Sequence, residues 1–252
     1  MSQDQTLIDY TLRLADNALI LSQRMVELVT AGPELEEELA NANFALDYIG
    51  QARMFYTHAG QLEGKGRQED DLAFLRDEHE FENLLLLEQP NGHFGDALVR
   101  QYLFEAFYLH LLEAITQCSD QGLVEIATRA IKEVKYHLRH SAQWLIRLGD
   151  GTELSHQRAQ TSLDDVWRYT GEMFAVDETD ALMQADHAGP DLAVIHDLWR
   201  NEVATTVATA TLTLPEDQWM ASGGKRGQHS EHFGFLLAEM QTLQRSNPGL
   251  TW

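Results

Sequence analysis

The stretch EVKYHLRHS, residues 133–141, sets Glu133, His137 and His140 at spacings of four and three residues. On a helix, residues three and four apart share a face. The segment otherwise reads as a core-facing helix. Inward-projecting glutamate and histidine on a helix are the donors that di-metal helix bundles use. The stretch is therefore half of a metal site or what remains of one, and the rest of the chain decides which.

Outward from it, long stretches of helical period dominate, proline is scarce, and the alternation expected of strands is almost absent. A first helix is predicted from about Gln5 to Thr30, with Leu7, Tyr10, Leu14, Leu21, Met25 and Leu28 as its stripe. Gly32-Pro33 stops it, and the acidic run Glu34–Glu38 suits the positive start of a second helix reaching about Leu62. A shorter helical pattern covers about Leu72 to Glu88, and Pro90-Asn91-Gly92 is a turn. A third long helix is predicted over about Gly95–Cys118, and a fourth over about Gly122–Leu148, closed by a glycine cap in GDGT. After residue 151 the pattern is helical but more broken, and TLTLP (211–215) is the only strand-like piece. The expectation is an all-α single domain over 1–252: a four-helix bundle in residues 1–150, with residues 151–252 a helical extension packed on it.

Composition narrows the function. The chain has 252 residues, 44% of them hydrophobic, and a formal charge of −22. That charge argues against nucleic acid as a partner, because phosphate binding needs clustered Lys and Arg. It also disfavours anionic membranes. No apolar run is long enough to span a bilayer, and the start MSQDQTLIDY has no secretory character. One cysteine, Cys118, excludes an intrachain disulfide and Cys-based metal motifs. A cytoplasmic protein is expected.

The metal question can be put to each long helix. A di-iron carboxylate bundle takes one Glu from each of two helices and Glu-x-x-His from each of two others. Helix one offers Asp16. Helix two offers Asp47, but three residues on stands Gly50. Helix three offers Glu105. Helix four offers Glu133, followed at the third position by Tyr136, while Val134 precedes His137 by three. The acidic positions half survive and the histidine framework does not. Asp16, Asp47, Glu105, Glu133 and His137 are therefore read as degenerate metal positions in a hydrogen-bonded polar core. Arg129, Lys132, Lys135 and Arg139 are the expected counter-charges. A working di-metal site and a single metal remain the alternatives.

The loop GGKRGQHSEHFG (223–234) is the other unusual feature. Lys225 and Arg226 could grip an anion, such as the phosphates of a nucleotide-bearing thioester, and Ser230 is the expected N-cap of the last helix. His229 and His232 complete this candidate phosphate- or partner-contacting set. The competing reading is a shaped loop that docks on protein.

This loop, extended through FLLAEMQTLQR, closely resembles the C-terminal signature of the C subunit of bacterial phenylacetyl-CoA epoxidase. That signature typically reads Gly-Gly-Lys-x-Gly-x-His-Thr-Glu-His-Leu-Gly; here Ser230 replaces Thr and Phe233 replaces Leu. YTLRLADNALILSQR, FALDYIGQARMF, NLLLLEQPNG and AIKEVKYHLRHS resemble the same family in the same order. The resemblance implies a ferritin-like fold. It implies a place in a multicomponent oxygenase that epoxidises the ring of phenylacetyl-CoA with dioxygen and NADPH. It implies di-iron in a paralogous catalytic A subunit, a small B subunit, and a reductase carrying flavin and an iron–sulfur centre. It implies no cofactor in this chain, which would be a non-catalytic support for the A subunit. The rivals are a self-contained di-metal oxidase or oxygenase and a module that binds coenzyme A thioesters.

Overall fold

The computed structural model describes residues 3–250. Regular structure among them is helical, without a strand. The helices in chain order are α1 (Gln3–Val26), α2 (Leu35–Glu63), α3 (Glu69–Phe74), α4 (Leu85–Glu88), α5 (Phe94–Ile115) and α6 (Gln121–Gly149). They continue with α7 (Glu153–Trp167), α8 (Gly171–Phe174), α9 (Glu178–His187), α10 (Leu192–Thr209) and α11 (Phe233–Ser246). No described helix is long and apolar enough to cross a membrane.

The chain forms two compact units. The first gathers the described residues up to 30, residues 34–89 and the segment from 223 onward; the second holds 31–33 and 90–222. The C-terminal hundred residues are thus divided: α7 and α10 pack with α5 and α6, α8 packs on α10, and α11 packs with the first unit.

In the first unit α1 and α2 run antiparallel. Ser22 reaches the carbonyl of Ala45, while Asp16, earlier in α1, meets Tyr56, later in α2. α1 ends at Val26, short of the expected Thr30. Its last carbonyls accept from Leu28 and Val29 in the tighter three-residue pattern that commonly closes a helix.

The helical pattern expected over 72–88 is broken. Only α3, a short 3-10 turn at Glu78–Glu80 and the four-residue α4 form. Between them the backbone opens into extended conformation at Phe81 and Leu84. The amides of Glu82 and Leu84 donate to the side chains of Asp16 and Asn17 of α1 at 2.9 and 2.8 Å. Buried amides that find side-chain acceptors have no need of a helix.

In the second unit α5 is buried almost all round, as a central helix should be. α6 is amphipathic and lies antiparallel to it: Ser141 meets Glu105, and Lys135 meets Glu113. The glycine cap expected in GDGT is replaced by another use of glycine. Gly149 is the last residue of α6, and Asp150 caps it with φ −93°. A Cβ on Gly149 would lie 2.2 Å from the carbonyl oxygen of Ala210, so the helix end needs glycine for close approach. Gly149→Ala should cost about 1–3 kcal/mol of stability in urea unfolding, as overpacking does.

Candidate functional site

Asp16 lies at the centre of the first unit and is 0% exposed. Its Oδ1 accepts from Tyr56 Oη at 2.6 Å and from Arg76 Nη2. Its Oδ2 accepts from Arg76 Nη1 at 3.2 Å and from the amide of Glu82 at 2.9 Å. The guanidinium also donates to the carbonyls of Leu72 and Glu80 and lies 4.1 Å from the centroid of the Phe81 ring. Burial alone would lower the Arg76 pKa, but Asp16 and Tyr56 outweigh it and hold the guanidinium firmly charged. The Tyr56 phenol is pushed well up, first by burial and then by the Asp16 charge. Nearby, burial raises the Glu82 carboxyl to about 7, although Arg13 pairs with it at 3.1 Å.

The expected counter-charges do not enter the core. Arg129, Lys132, Lys135 and Arg139 are all exposed on the outer face of α6. The cation that holds Asp16 is Arg76, which follows α3. Asp47, on α2, is half-buried.

In the second unit Glu105 is 0% exposed and accepts from Gln101 Nε2 at 2.8 Å and Ser141 Oγ at 2.6 Å. His137 is also 0% exposed, one turn before Ser141 on α6. Glu133 is half-buried and close enough to Tyr108 that its charge adds to burial in raising that phenol. These residues do not fit a metal centre. Both oxygens of Asp16 are taken by N–H and O–H donors, two to each, and Gly50 and Tyr136 stand where imidazoles are required. Among the described residues, no group of three or more His, Cys, Asp or Glu is placed to hold a metal ion. Cys118 is buried, which pushes its thiol up to about 11.

The 223–234 loop is built around a second buried pair. His229 and Glu88 side chains are both 0% exposed, with Nδ1 and Oε1 2.6 Å apart. The other ring nitrogen of His229 lies 3.0 Å from the carbonyl of Phe81. Both nitrogens face oxygens, an arrangement that the protonated ring satisfies with both N–H groups. Burial would lower its pKa, but Glu88 and the Phe81 carbonyl raise it above 6.5. Glu88 also accepts from Asn83 at 2.9 Å and from the amide of Ser230 at 2.7 Å. Ser230 is thus not the N-cap expected: α11 begins at Phe233, with His232 in the cap position. Gly227, with φ +69°, passes so near His79 that a Cβ would lie 2.1 Å from its carbonyl oxygen. The loop's cations separate. Lys225 is buried, its carbonyl accepting from Arg13, whereas Arg226 is exposed. His232 is partly exposed beside Glu231.

With this geometry, residues 1–252 match the family described as Phenylacetic acid catabolic protein. The chain is also 47% identical to the C subunit of 1,2-phenylacetyl-CoA epoxidase of Escherichia coli (strain K12), over 246 residues covering 98% of this chain and 99% of the relative. The chain belongs to the phenylacetic acid catabolic protein family. The fold is ferritin-like.

In this member of the phenylacetic acid catabolic family, two stretches far apart in sequence, NLLLLEQPNG and GGKRGQHSEHFG, meet at one ion pair. A lone glutamate after four leucines and a histidine in a glycine-rich loop are the only signals of it in the sequence. Nothing in helical periodicity joins them.

Breaking a buried pair leaves an uncompensated charge, so Arg76→Ala should destabilise the chain by about 3–5 kcal/mol in urea unfolding. His229→Gln should cost a similar amount at low pH. Because the folded pKa of His229 is raised, its stabilisation is fully present below about 6.5 and is lost as pH rises through the raised value. The deficit of His229→Gln against wild type should therefore shrink on the alkaline side, and a pH series of unfolding midpoints measures it.

Proposed function

We propose that this chain is the supporting subunit of a phenylacetyl-CoA epoxidase and performs none of the oxygen chemistry itself. The observation that carries the reading is the saturation of Asp16 by Arg76, Tyr56 and the Glu82 amide, in a chain that aligns end to end with the C subunit of such an enzyme. A carboxylate with both oxygens filled by protein donors has no lone pair left for a metal.

On this reading the chain works in aerobic phenylacetate degradation, in the cytoplasm. A paralogous A subunit holds the di-iron centre and binds phenylacetyl-CoA, a small B subunit joins the assembly, and a reductase with NADPH, flavin and an iron–sulfur centre delivers electrons. The metal supplies activation of dioxygen within the partner. What this chain contributes is rigidity. Its helices bury part of the partner's surface and keep the partner's ligand-bearing helices in register. Buried ion pairs suit that task, because they fix one arrangement of helices against alternatives.

The test is co-expression of the A subunit with and without this chain. The supporting role requires the A subunit to be less soluble, or its iron-loaded form less active per mole, when this chain is absent. Equal solubility and equal activity would sink it. A second arm separates support from catalysis. Glu105→Gln in this chain should leave the turnover of the assembled complex within about twofold, whereas a self-contained metal site would lose about a hundredfold or more on losing a ligand.

A further inference from the structure

A groove in the second unit plays no part in the clusters above. One lobe has a volume of about 450 Å3 and an apolar floor that includes Phe174, Leu192, Trp199 and Met220. The floor is rigid. Trp199 donates its indole N–H to the carbonyl of Leu103 at 3.0 Å, and Phe174 packs on it with ring centroids 5.0 Å apart. A second lobe of about 530 Å3 shares Met220 and carries Asp164, Glu216 and Trp219. Asp217 braces the lobes: it accepts from Trp167 at 3.0 Å and from Arg200 at 2.9 Å.

The rim is apolar where solvent should favour polar groups. Val176, lining the first lobe, is 62% exposed, and Trp219, lining the second, 73%. Clustered exposed apolar side chains around a concave floor mark an interaction surface. The charge at the rim is acidic. Asp164 and Glu216, which line the second lobe, are both exposed. Of the cations lining the two lobes, Arg200 is already neutralised by Asp217, leaving Arg168. An anionic ligand is disfavoured here. A small apolar molecule would fill the first lobe and leave the exposed rim uncovered, whereas small-molecule sites enclose most of their ligand.

We infer that this groove docks a segment of a partner protein that carries Lys or Arg beside an aliphatic or aromatic anchor. The anchor enters the lobe floored by Phe174 and Trp199. The cation reaches Asp164 and Glu216 and lies over the face of Trp219. This docking surface goes beyond the subunit reading, which supplies only the choice of partners for the test.

The experiment titrates the full-length chain with the purified A subunit, B subunit and reductase in turn. Wild type is compared with Ala193→Arg, which fills the groove wall and repels a cation, and with Trp219→Ala; both positions are exposed, and unfolding midpoints verify the fold. For one partner, affinity should fall tenfold or more in both variants. Wild-type affinity for that partner should weaken about tenfold between low salt and roughly 0.3 M. Affinities within twofold of wild type for every partner overturn the inference. If wild type binds none of the three, the subunit reading fails on its own. The groove is then judged with a synthetic fifteen-residue helical peptide of alternating Leu and Lys faces: binding lost in Ala193→Arg upholds it, and equal binding to both proteins overturns it. Saturable binding in the groove by a small arene such as indole, with no peptide binding, likewise overturns it in favour of a small-molecule pocket.

Discussion

A carboxylate taken wholly out of water must be neutralised or held by donors, and Asp16 imposes that constraint on everything around it. Meeting it requires the Tyr56 hydroxyl from α2, the Arg76 guanidinium from beyond α3, and a free backbone amide at Glu82. The last requirement explains why a stretch with a helical hydrophobic pattern opens between α3 and α4. Arg76 then passes the constraint on. Its own carbonyl accepts from Gln241 at 2.9 Å and from Arg245 at 2.7 Å, which ties α11 to the same centre. One buried charge thus specifies how four separate segments of the first unit meet.

The long helices are legible in the sequence because their evidence is local: an apolar stripe, a proline or glycine stop, an acidic first turn. α1, α2, α5 and α6 lie within a few residues of where that evidence puts them. Asp16, Glu105 and His137 are also legible as buried polar positions on those stripes. Their partners are not. Arg76 lies in a segment that reads as continuous helix, whereas Arg129, Lys132, Lys135 and Arg139 are plausible by proximity to Glu133 and His137 but excluded by the geometry of α6. Arg129, Lys132 and Arg139 fall on one face by helical period, opposite Ala130, Val134 and Ser141, so they point to solvent. Glu88 and His229 are 141 residues apart, and a contact at that separation leaves no periodic trace. The glycines mislead in a similar way: Gly149 stands where a left-handed cap is expected and is instead a clearance for Ala210.

The balance of charges also shapes the surface. The chain has only 18 Lys and Arg against 40 Asp and Glu, and Arg13, Arg24, Arg76, Arg100 and Lys225 are buried. Asp16, Glu88, Glu105, Glu172 and Asp180 are buried as well, so buried cations and carboxylates balance among the described residues and the exposed surface carries the acidic surplus of the composition. That surplus favours basic surfaces in association and repels phosphate-rich ones. It gives the apolar groove of the second unit its negative rim without any dedicated acidic cluster.

Arg76 and a metal ion answer the same electrostatic need of Asp16 in different ways. Either one neutralises a carboxylate that water cannot reach. A metal leaves coordination positions that exchange, and exchange is what admits substrate or dioxygen. A guanidinium donates through fixed N–H groups, fills the carboxylate and leaves no open position. Its planar fork also orients what it touches, bringing Leu72, Glu80, Tyr56 and Phe81 to one point. With Arg76 in that place the carboxylate has no position open for exchange, and what the pair supplies is fixed geometry.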